Sequence, residues 1–375
     1  MLREPSRDPR AAAARLYDAV IAPVEADLVA AGTRTLALSL DGMLRYVPAA
    51  AFWDGERWLA ERWPTALFTE STPLRLSDPP AGRQPTVRAM GVTEPWPGFQ
   101  PLPGVVREMA AVVRSSSPPG SPDGALEGRA SLNRDFTRES ISESLASDAA
   151  VVHVASHFRL DPDSLENTVL LLGDGDLMSL KEMGAGGMDF GGLDLLTLSA
   201  CDTASGSMLR TGREIESLGE TVLRAGASAV LATLMPVDDL AAPDLMREFY
   251  RLRYIEGRGK AEALQGAQLA VMRASGSPCP EILTADAGRS SAAGSRQGAH
   301  AAETAQSPSE GRATAAPSVS QPETPPARRD ERGTALSAGS SSPHANAVRS
   351  APRWEGGGFS HPYYWSPFII MGSFR

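Results

Sequence analysis

The feature that most constrains the fold of this sequence is an alternation of short apolar runs with longer helical patterns. The β-prone runs lie at 150–155, 195–198 and 228–234, and helical periodicity lies at 215–224, 240–254 and 260–273. Strands that alternate with helices are typical of a mainly parallel sheet with helices on both faces. The sequence therefore predicts an α/β fold with a mainly parallel central sheet.

Turn and cap signals predict the remaining elements. We expect an N-terminal helix over 11–31, β-hairpins at 36–47 and 168–179, and a helix over 131–145 capped by Ser131. The first hairpin is predicted because Asp41-Gly42 tolerates the positive φ of a tight turn. A strand at 86–92, a helix at 105–113 and a last strand at 367–373 complete the prediction.

One domain interrupted by an insertion is the predicted organisation. Residues 1–10 are charged and are expected to form a flexible N-terminus, and 11–274 form the main domain, with an N-terminal subregion at 11–78 and a core at 86–274. Residues 275–358 consist mostly of Ser, Ala, Gly, Pro, Thr and scattered charges, a composition that predicts disorder. Residues 359–375 are expected to close the domain with its last strand.

Composition excludes several classes of protein. A net charge of −9, with no cluster of basic residues, argues against nucleic-acid binding through a basic surface. The two cysteines, Cys201 and Cys279, are too few for a disulfide framework, which favours a reducing cytoplasm. No run reaches the ~18 apolar residues that a membrane span needs. We expect a cytoplasmic protein that does not bind membranes.

A thiol and an imidazole each follow a predicted strand. His157 comes after the run at 150–155, and Cys201 comes after the run at 195–198, 44 residues later, about the separation found in caspases. Ligands collect at the carboxyl ends of parallel strands. On neighbouring strands, the imidazole could generate the thiolate and then protonate a leaving amine. The alternative is that Cys201 is a small buried apolar residue and His157 an ordinary loop residue.

Other polar residues near these strands have structural interpretations. Asp238 and Asp239 precede a predicted helix, which they can cap. Asp202 follows the thiol and would raise its pKa only if it pointed inward. His153 lies on the same strand face as His157 but about 13 Å away, which indicates a core histidine or one that contacts a site residue without reaching the thiol. No metal or cofactor is expected, because the spacing of metal ligands or of a phosphate-binding loop is absent.

Three motifs, in this order, resemble a known family. Residues 152–158 (VHVASHF), 195–204 (LLTLSACDTA) and 361–368 (HPYYWSPF) are similar to those of the CHAT domain, a bacterial caspase-like and separase-like cysteine peptidase module. The resemblance implies a caspase-like fold and a catalytic dyad of Cys201 and His157. It further implies a cysteine endopeptidase that cleaves a protein substrate in regulated proteolysis, defence or signalling.

The sequence departs from this family at several points. Many members have a glycine after the catalytic histidine, and its amide contributes to the oxyanion hole; here the residue is Phe158, which resists positive φ. Met235 replaces a usual tryptophan of the pocket wall. Resemblance to separase implies that an acidic residue, here Asp239, receives a basic substrate side chain.

Tetratricopeptide repeats often precede this domain but are absent here, which suggests a sensor or repeat protein that acts in trans. Two alternatives to an endopeptidase stay open: an inactive CHAT scaffold that recruits partners, and a ligase or transacylase.

Overall fold

The computed structural model describes residues 2–76, 84–114, 124–159, 161, 164, 166–184, 188–199, 213–274 and 353–375. These residues belong to one compact unit, formed by 1–279 and 351–375. The predicted disordered insertion lies outside the described residues from 275 to 352, as do Cys201 and Asp202. Within the described part of the chain, no helix is long and apolar enough to cross a bilayer.

Nine strands form the central sheet, in the order β1-β2-β12-β11-β10-β6-β3-β5-β4. Neighbouring strands pair in parallel except β11 with β12. A small antiparallel sheet, β7-β8-β9, lies beyond the end of β6. The strands are β1 (Leu36–Leu38), β2 (Thr65–Leu67), β3 (Gln84–Gly91), β4 (Val113–Arg114), β5 (Leu126–Leu132), β6 (Ala149–Ala155), β7 (Phe158–Arg159), β8 (Val169–Leu171), β9 (Leu177–Ser179), β10 (Leu195–Ser199), β11 (Ala229–Thr233) and β12 (Phe368–Gly372).

Helices cover both faces of this sheet. The first face packs against α4, α8 and α9, and the second against α5, α6 and α7. Short 3₁₀ turns occur in the loops, and α8 continues as a π-helical turn at Arg251–Ile255. The α-helices are α1 (Arg10–Val20), α2 (Glu25–Ala30), α3 (Thr72–Arg75), α4 (Gly104–Val112), α5 (Arg138–Ala146), α6 (Leu180–Gly184), α7 (Arg213–Arg224), α8 (Ala241–Tyr250), α9 (Lys260–Arg273) and α10 (Pro362–Trp365).

Strand β6 shows why the sheet needs helices on both faces. All seven of its residues are buried. Val151 belongs to the core cluster on the first face, whereas Val152 and Val154 belong to the cluster on the second, as the alternation of side chains along a strand requires. A strand buried on both faces reads as a continuous apolar run, and such runs at β6, β10 and β11 made the α/β prediction possible. That prediction is confirmed.

The hairpin predicted at 36–47 is wrong. β1 pairs in parallel with β2, and residues Gly42–Tyr46 form a 3₁₀ turn instead of a second strand. The carboxylate of Asp41 accepts a hydrogen bond of 2.7 Å from the N–H of Gly42 and so begins that turn. Gly42 has the expected positive φ, 55°, but Asp-Gly here starts a helical turn. By contrast, the hairpin predicted at 168–179 is present as β8 and β9.

The start of the helix predicted at 131–145 is also wrong. Ser131 belongs to β5, which pairs with β3, and α5 begins at Arg138. Its cap is Thr137, whose N–H donates to Oγ of Ser140 at 2.8 Å while its own Oγ1 accepts from the N–H of Ser140. The strand signal of β5 was missed because this strand carries Glu, Gly and Arg among few apolar residues.

The two ends of the described chain pack against each other. The N–H of Trp354 donates to the Ser6 carbonyl at 3.0 Å, and Nε2 of His361 donates to the Arg7 carbonyl at 2.9 Å. Residues 2–9, expected to be flexible, therefore contact the closing segment, which begins before residue 359. β12 then pairs with both β11 and β2, so one sheet includes strands of both predicted subregions.

Candidate active site

Two neighbouring strands end at the same level, and each predicted catalytic residue follows one of them. β6 and β10 pair in register from Val151 with Leu195 to Ala155 with Ser199. His157 lies two residues after Ala155 in the sequence, and Cys201 two residues after Ser199. Adjacent strands are about 4.8 Å apart. Because of this register, the segments that lead to His157 and Cys201 leave the sheet at equivalent positions on its carboxyl edge. Cys201 itself is outside the described residues.

The imidazole of His157 is held by a backbone carbonyl. Its Nε2 lies 2.7 Å from the carbonyl oxygen of Gln100. A carbonyl oxygen can only accept, so Nε2 carries a proton in this contact, and Nδ1 is the nitrogen that can exchange a proton. The ring also contacts Phe99, with centroids 5.2 Å apart, and the side chain is buried. These contacts fix both the tautomer and the orientation of the ring.

A residue that the sequence did not single out anchors the loop that carries Gln100. Asn133 has a positive φ of 50°, the only such non-glycine residue in the described chain. Its Oδ1 accepts a hydrogen bond of 2.8 Å from the N–H of Thr93, at the start of the loop between β3 and α4. Its Nδ2 donates to Oγ1 of Thr93 at 2.8 Å. The left-handed conformation of Asn133 could have been suspected, because Asn adopts it more readily than most residues.

A cavity of about 230 Å³ opens beside His157 at this edge of the sheet. Ser156 and Ser199, at the ends of β6 and β10, contribute to its wall, together with apolar residues from α4, α8 and the adjoining loops. Two carboxylates, Glu108 and Asp239, also line it. The lining residues are Gln100, Leu102, Gly104, Val105, Glu108, Ser156, His157, Ser199, Pro236, Val237, Asp239, Ala242 and Pro243.

The structure separates the roles of the two adjacent aspartates. Asp238 caps α8: its Oδ1 accepts from the N–H groups of Leu240 and Ala241 at 2.9 and 3.1 Å. Asp239 lines the cavity, where the N–H of Gly104 donates to its carboxylate. Partial burial, then the neighbouring charges of Asp238 and Glu108, raise the pKa of Asp239, against opposing effects of the Gly104 N–H and Arg107.

Gly104 is required by this arrangement. A Cβ at this position would lie 2.4 Å from Cγ of Asp239, so any other residue would displace the carboxylate. The close approach places Asp239 at the N-terminus of α4, where the helix dipole favours negative charge. The sequence offered no sign of this contact, which joins residues far apart in the chain.

Two further predicted site residues are buried. Phe158 is 2% exposed and lies in β7, without a positive φ. The N–H of Leu171 donates to the His157 carbonyl, and Phe158 opposes Leu170, so the amide of Phe158 points away from β8. That amide is therefore not used by the small sheet. Met235 is also buried, but it does not line the cavity, whose wall is formed instead by the next two residues.

The architecture and this site define the class of fold: the chain has a caspase-like α/β fold, with a mainly parallel sheet whose carboxyl edge carries the candidate site. The family model of the CHAT domain matches residues 10–373, and the chain belongs to that family. Family membership favours a peptidase-type function. No protein with a curated description matches.

The solved structures that match include one described as the crystal structure of the Arg specific cysteine proteinase gingipain R. The two chains are 11% identical, with a TM-score of 0.31, and the alignment covers 54% of this chain. It spans 45% of the gingipain chain.

Proposed function

We propose that this protein is a cysteine endopeptidase with Cys201 as the nucleophile and His157 as the general base and acid. The observation that carries the proposal is the pairing of β6 and β10, the strands that precede His157 and Cys201. They pair in register and end beside one cavity. Membership of the CHAT family supports the same chemistry.

The orientation of His157 supports a defined role in the reaction. With Nε2–H donated to the Gln100 carbonyl, Nδ1 is the nitrogen that takes the thiol proton. The thiolate then attacks the carbonyl carbon of the peptide bond, and Nδ1–H protonates the amine as the C–N bond breaks. Water then attacks the thioester carbonyl and gives a proton to Nδ1. The C–S bond breaks to release the carboxylic acid, and the Cys201 thiolate takes the proton back from Nδ1.

The backbone around Phe158 is compatible with stabilisation of the oxyanion. Its N–H points away from β8, so pairing in the small sheet does not consume it. An amide donor directed at the developing oxyanion contributes about 2.7–4 kcal/mol to catalysis in enzymes of this kind of chemistry. We infer that a bulky residue after His157 does not by itself exclude peptidase activity.

Asp239 is the proposed receptor for a basic side chain on the acyl side of the cleaved bond. It lines the cavity beside His157, whereas its neighbour Asp238 is engaged as the cap of α8. A carboxylate whose pKa is raised by its surroundings gains most from a cationic ligand, because the ligand supplies the missing opposite charge. We therefore propose cleavage after Lys or Arg.

The test is a proteome-wide search for new protein N-termini. A cell lysate is incubated with the wild-type protein, Cys201→Ala or Cys279→Ala. We expect new N-termini preceded by Lys or Arg with the wild type and with Cys279→Ala, and none with Cys201→Ala. The Cys279 variant is the matched control, because it removes the only other thiol. Equal cleavage by Cys201→Ala, shown to be folded by its melting temperature, would overturn the proposal.

A further inference from the structure

Glu108 is a carboxylate on the apolar face of a helix. It lies in α4 between Val105 and Val112, both buried in the core, and is itself 5% exposed. Burial of a charged group is costly unless it is paired and hydrogen-bonded. A buried acid at a position where helical periodicity requires an apolar residue therefore indicates a function other than packing.

Among the described residues, Oε1 of Glu108 has no hydrogen-bond partner. Its Oε1 lies 3.2 Å from Nε2 of His153, within ion-pair distance. The two atoms are not aligned for a hydrogen bond, and neither has another hydrogen-bond partner among the described residues. Glu108 is also part of the cavity wall. One carboxylate thus faces both a buried imidazole and the space beside His157.

A chain of buried hydroxyl groups orients that imidazole. Nδ1 of His153 lies 2.9 Å from the Tyr250 hydroxyl, which lies 2.7 Å from Oγ1 of Thr197. Burial raises the pKa of Tyr250, so its hydroxyl stays protonated. If Thr197 donates to Tyr250 and Tyr250 donates to Nδ1, then Nε2 carries the proton that faces Glu108.

The cavity itself has the shape and chemistry of a site for a long side chain with a positive end. Leu102, Val105 and Val237 supply apolar wall for an aliphatic stem. Glu108 and Asp239 supply two carboxylates, and the charge of Glu108 contributes to the raised pKa of Asp239. An aliphatic stem on the apolar wall and a cationic end at the two carboxylates would match this lining.

We propose that Glu108 is a second specificity-determining residue, which together with Asp239 binds the ammonium or guanidinium group of a substrate Lys or Arg side chain. His153 is its positioning residue, held by Tyr250. The inference rests on the proposed function only in taking this cavity as the site of a substrate side chain.

The test uses ligand binding, so that it does not depend on peptidase activity. Butylguanidinium and its uncharged isostere butylurea are titrated calorimetrically into the full-length Cys201→Ala protein. We expect Glu108→Gln to weaken butylguanidinium binding about tenfold or more, the effect of losing one charged hydrogen bond. Butylurea binding should not change. The matched control is Glu127→Gln, which alters an exposed glutamate on β5, away from the cavity.

The role of His153 is tested by two replacements. His153→Gln retains an amide donor near the position of Nε2, whereas His153→Phe removes it. We expect the Gln variant to keep most of the preference for butylguanidinium over butylurea and the Phe variant to lose it. Equal loss of both ligands would indicate a merely structural role.

The possible outcomes separate the two proposals. Butylguanidinium binding that Glu108→Gln does not weaken, or no preference for this cation over butylurea, overturns the role of Glu108 even if the protein proves to be a peptidase. Cation binding that depends on Glu108, in a protein whose Cys201→Ala variant generates the same N-termini as the wild type, retains the site and overturns the peptidase.

Discussion

Carboxylates at the two ends of the central sheet have pKa values shifted in opposite directions. At the amino end, Asp194 precedes β10 and is 4% exposed, and Nζ of Lys260 lies 2.7 Å from its Oδ1. Arg253 and the Tyr254 hydroxyl contact its Oδ2 at 3.4 and 2.8 Å. Burial alone would raise the pKa of Asp194, but Lys260 and Arg253 outweigh it and hold that pKa below its ordinary value.

At the carboxyl end, neither Glu108 nor Asp239 forms an ion pair with a Lys or Arg among the described residues, and Arg107 only partly offsets the raised pKa of Asp239. Asp239 has a raised pKa, and Glu108 faces a histidine without an aligned hydrogen bond. Asp194 is paired within the fold, whereas Glu108 and Asp239 are not, and this contrast supports the proposal that Glu108 and Asp239 bind a cationic ligand. Three substitutions test this contrast.

The largest effect is expected from Asp194→Asn. Loss of this carboxylate leaves the Lys260 ammonium, 2% exposed, without the negative charge next to it. Removal of one partner of a buried ion pair costs about 3–5 kcal/mol. Urea unfolding should show a loss of this size in the free energy of unfolding. Glu248→Gln, which breaks an exposed pair with Arg251, should cost less than ~1 kcal/mol.

The pH dependence gives this prediction a second readout. Because the folded-state pKa of Asp194 is lowered, its contribution to stability is present above the ordinary value of 3.8 and is lost as the pH falls through the lowered value. Asp194→Asn should therefore unfold with a flatter dependence on pH in this acidic range. If the free energy of unfolding of Asp194→Asn fell at acidic pH as steeply as that of the wild type, Asp194 would not be the carboxylate that stabilises the fold.

A different response is expected from Asp239→Asn. If Asp239 binds a substrate cation, kcat/KM for peptides with Lys or Arg before the cleaved bond should fall about 10- to 100-fold, the range for one charged hydrogen bond. The free energy of unfolding at neutral pH should stay the same or rise. The amide oxygen can still accept from Gly104, and a carboxylate whose ionised form is disfavoured in the fold has been removed.

The sign of the pH effect is opposite to that of Asp194. A raised folded-state pKa makes the contribution of Asp239 to stability largest below 3.8 and lost as the pH rises through the raised value. Asp238→Ala is the matched control: removal of this cap should lower the unfolding free energy by about 1 kcal/mol and leave the preference for basic peptides intact. If Asp239→Asn lowered the free energy of unfolding but kept the preference for basic peptides, Asp239 would have a structural role and not a role in substrate binding.

The sequence could predict those features that depend on residues close together in the chain. The buried parallel strands are visible because their apolar runs are local, and His157 and Cys201 stand out because they follow such runs. The hairpin at 36–47 was wrong because the partner of β1 lies nearly thirty residues away, where no local pattern announces it.

The rest of the candidate site depends on contacts that leave no mark in the sequence. The Gln100 carbonyl that holds His157 is a backbone atom, which every residue has. Asp238 and Asp239 are identical in type, and only the fold gives one to a helix cap and the other to the cavity. Glu108 had a local signal, a charge at an apolar helical position, that could have been used.

The smallest effect is expected from Gly104→Ala. The new methyl group would lie 2.4 Å from Cγ of Asp239, so the carboxylate must rotate away from the N-terminus of α4. We expect kcat/KM for basic peptides to fall several-fold. The free energy of unfolding should change by less than ~1 kcal/mol, because the better helix propensity of alanine offsets the lost contact.

Val106→Ala, on the exposed face of the same helix, is the control for Gly104→Ala and should leave the preference for basic peptides unchanged. If Gly104→Ala also kept the wild-type preference, the position of Asp239 against α4 would not matter for recognition. The carboxylates at the carboxyl end of the sheet would then differ from Asp194 only in lacking an ion pair among the described residues. A reduced preference of Gly104→Ala for basic peptides, at an unchanged free energy of unfolding, would indicate that a ligand supplies the cation that pairs with Asp239.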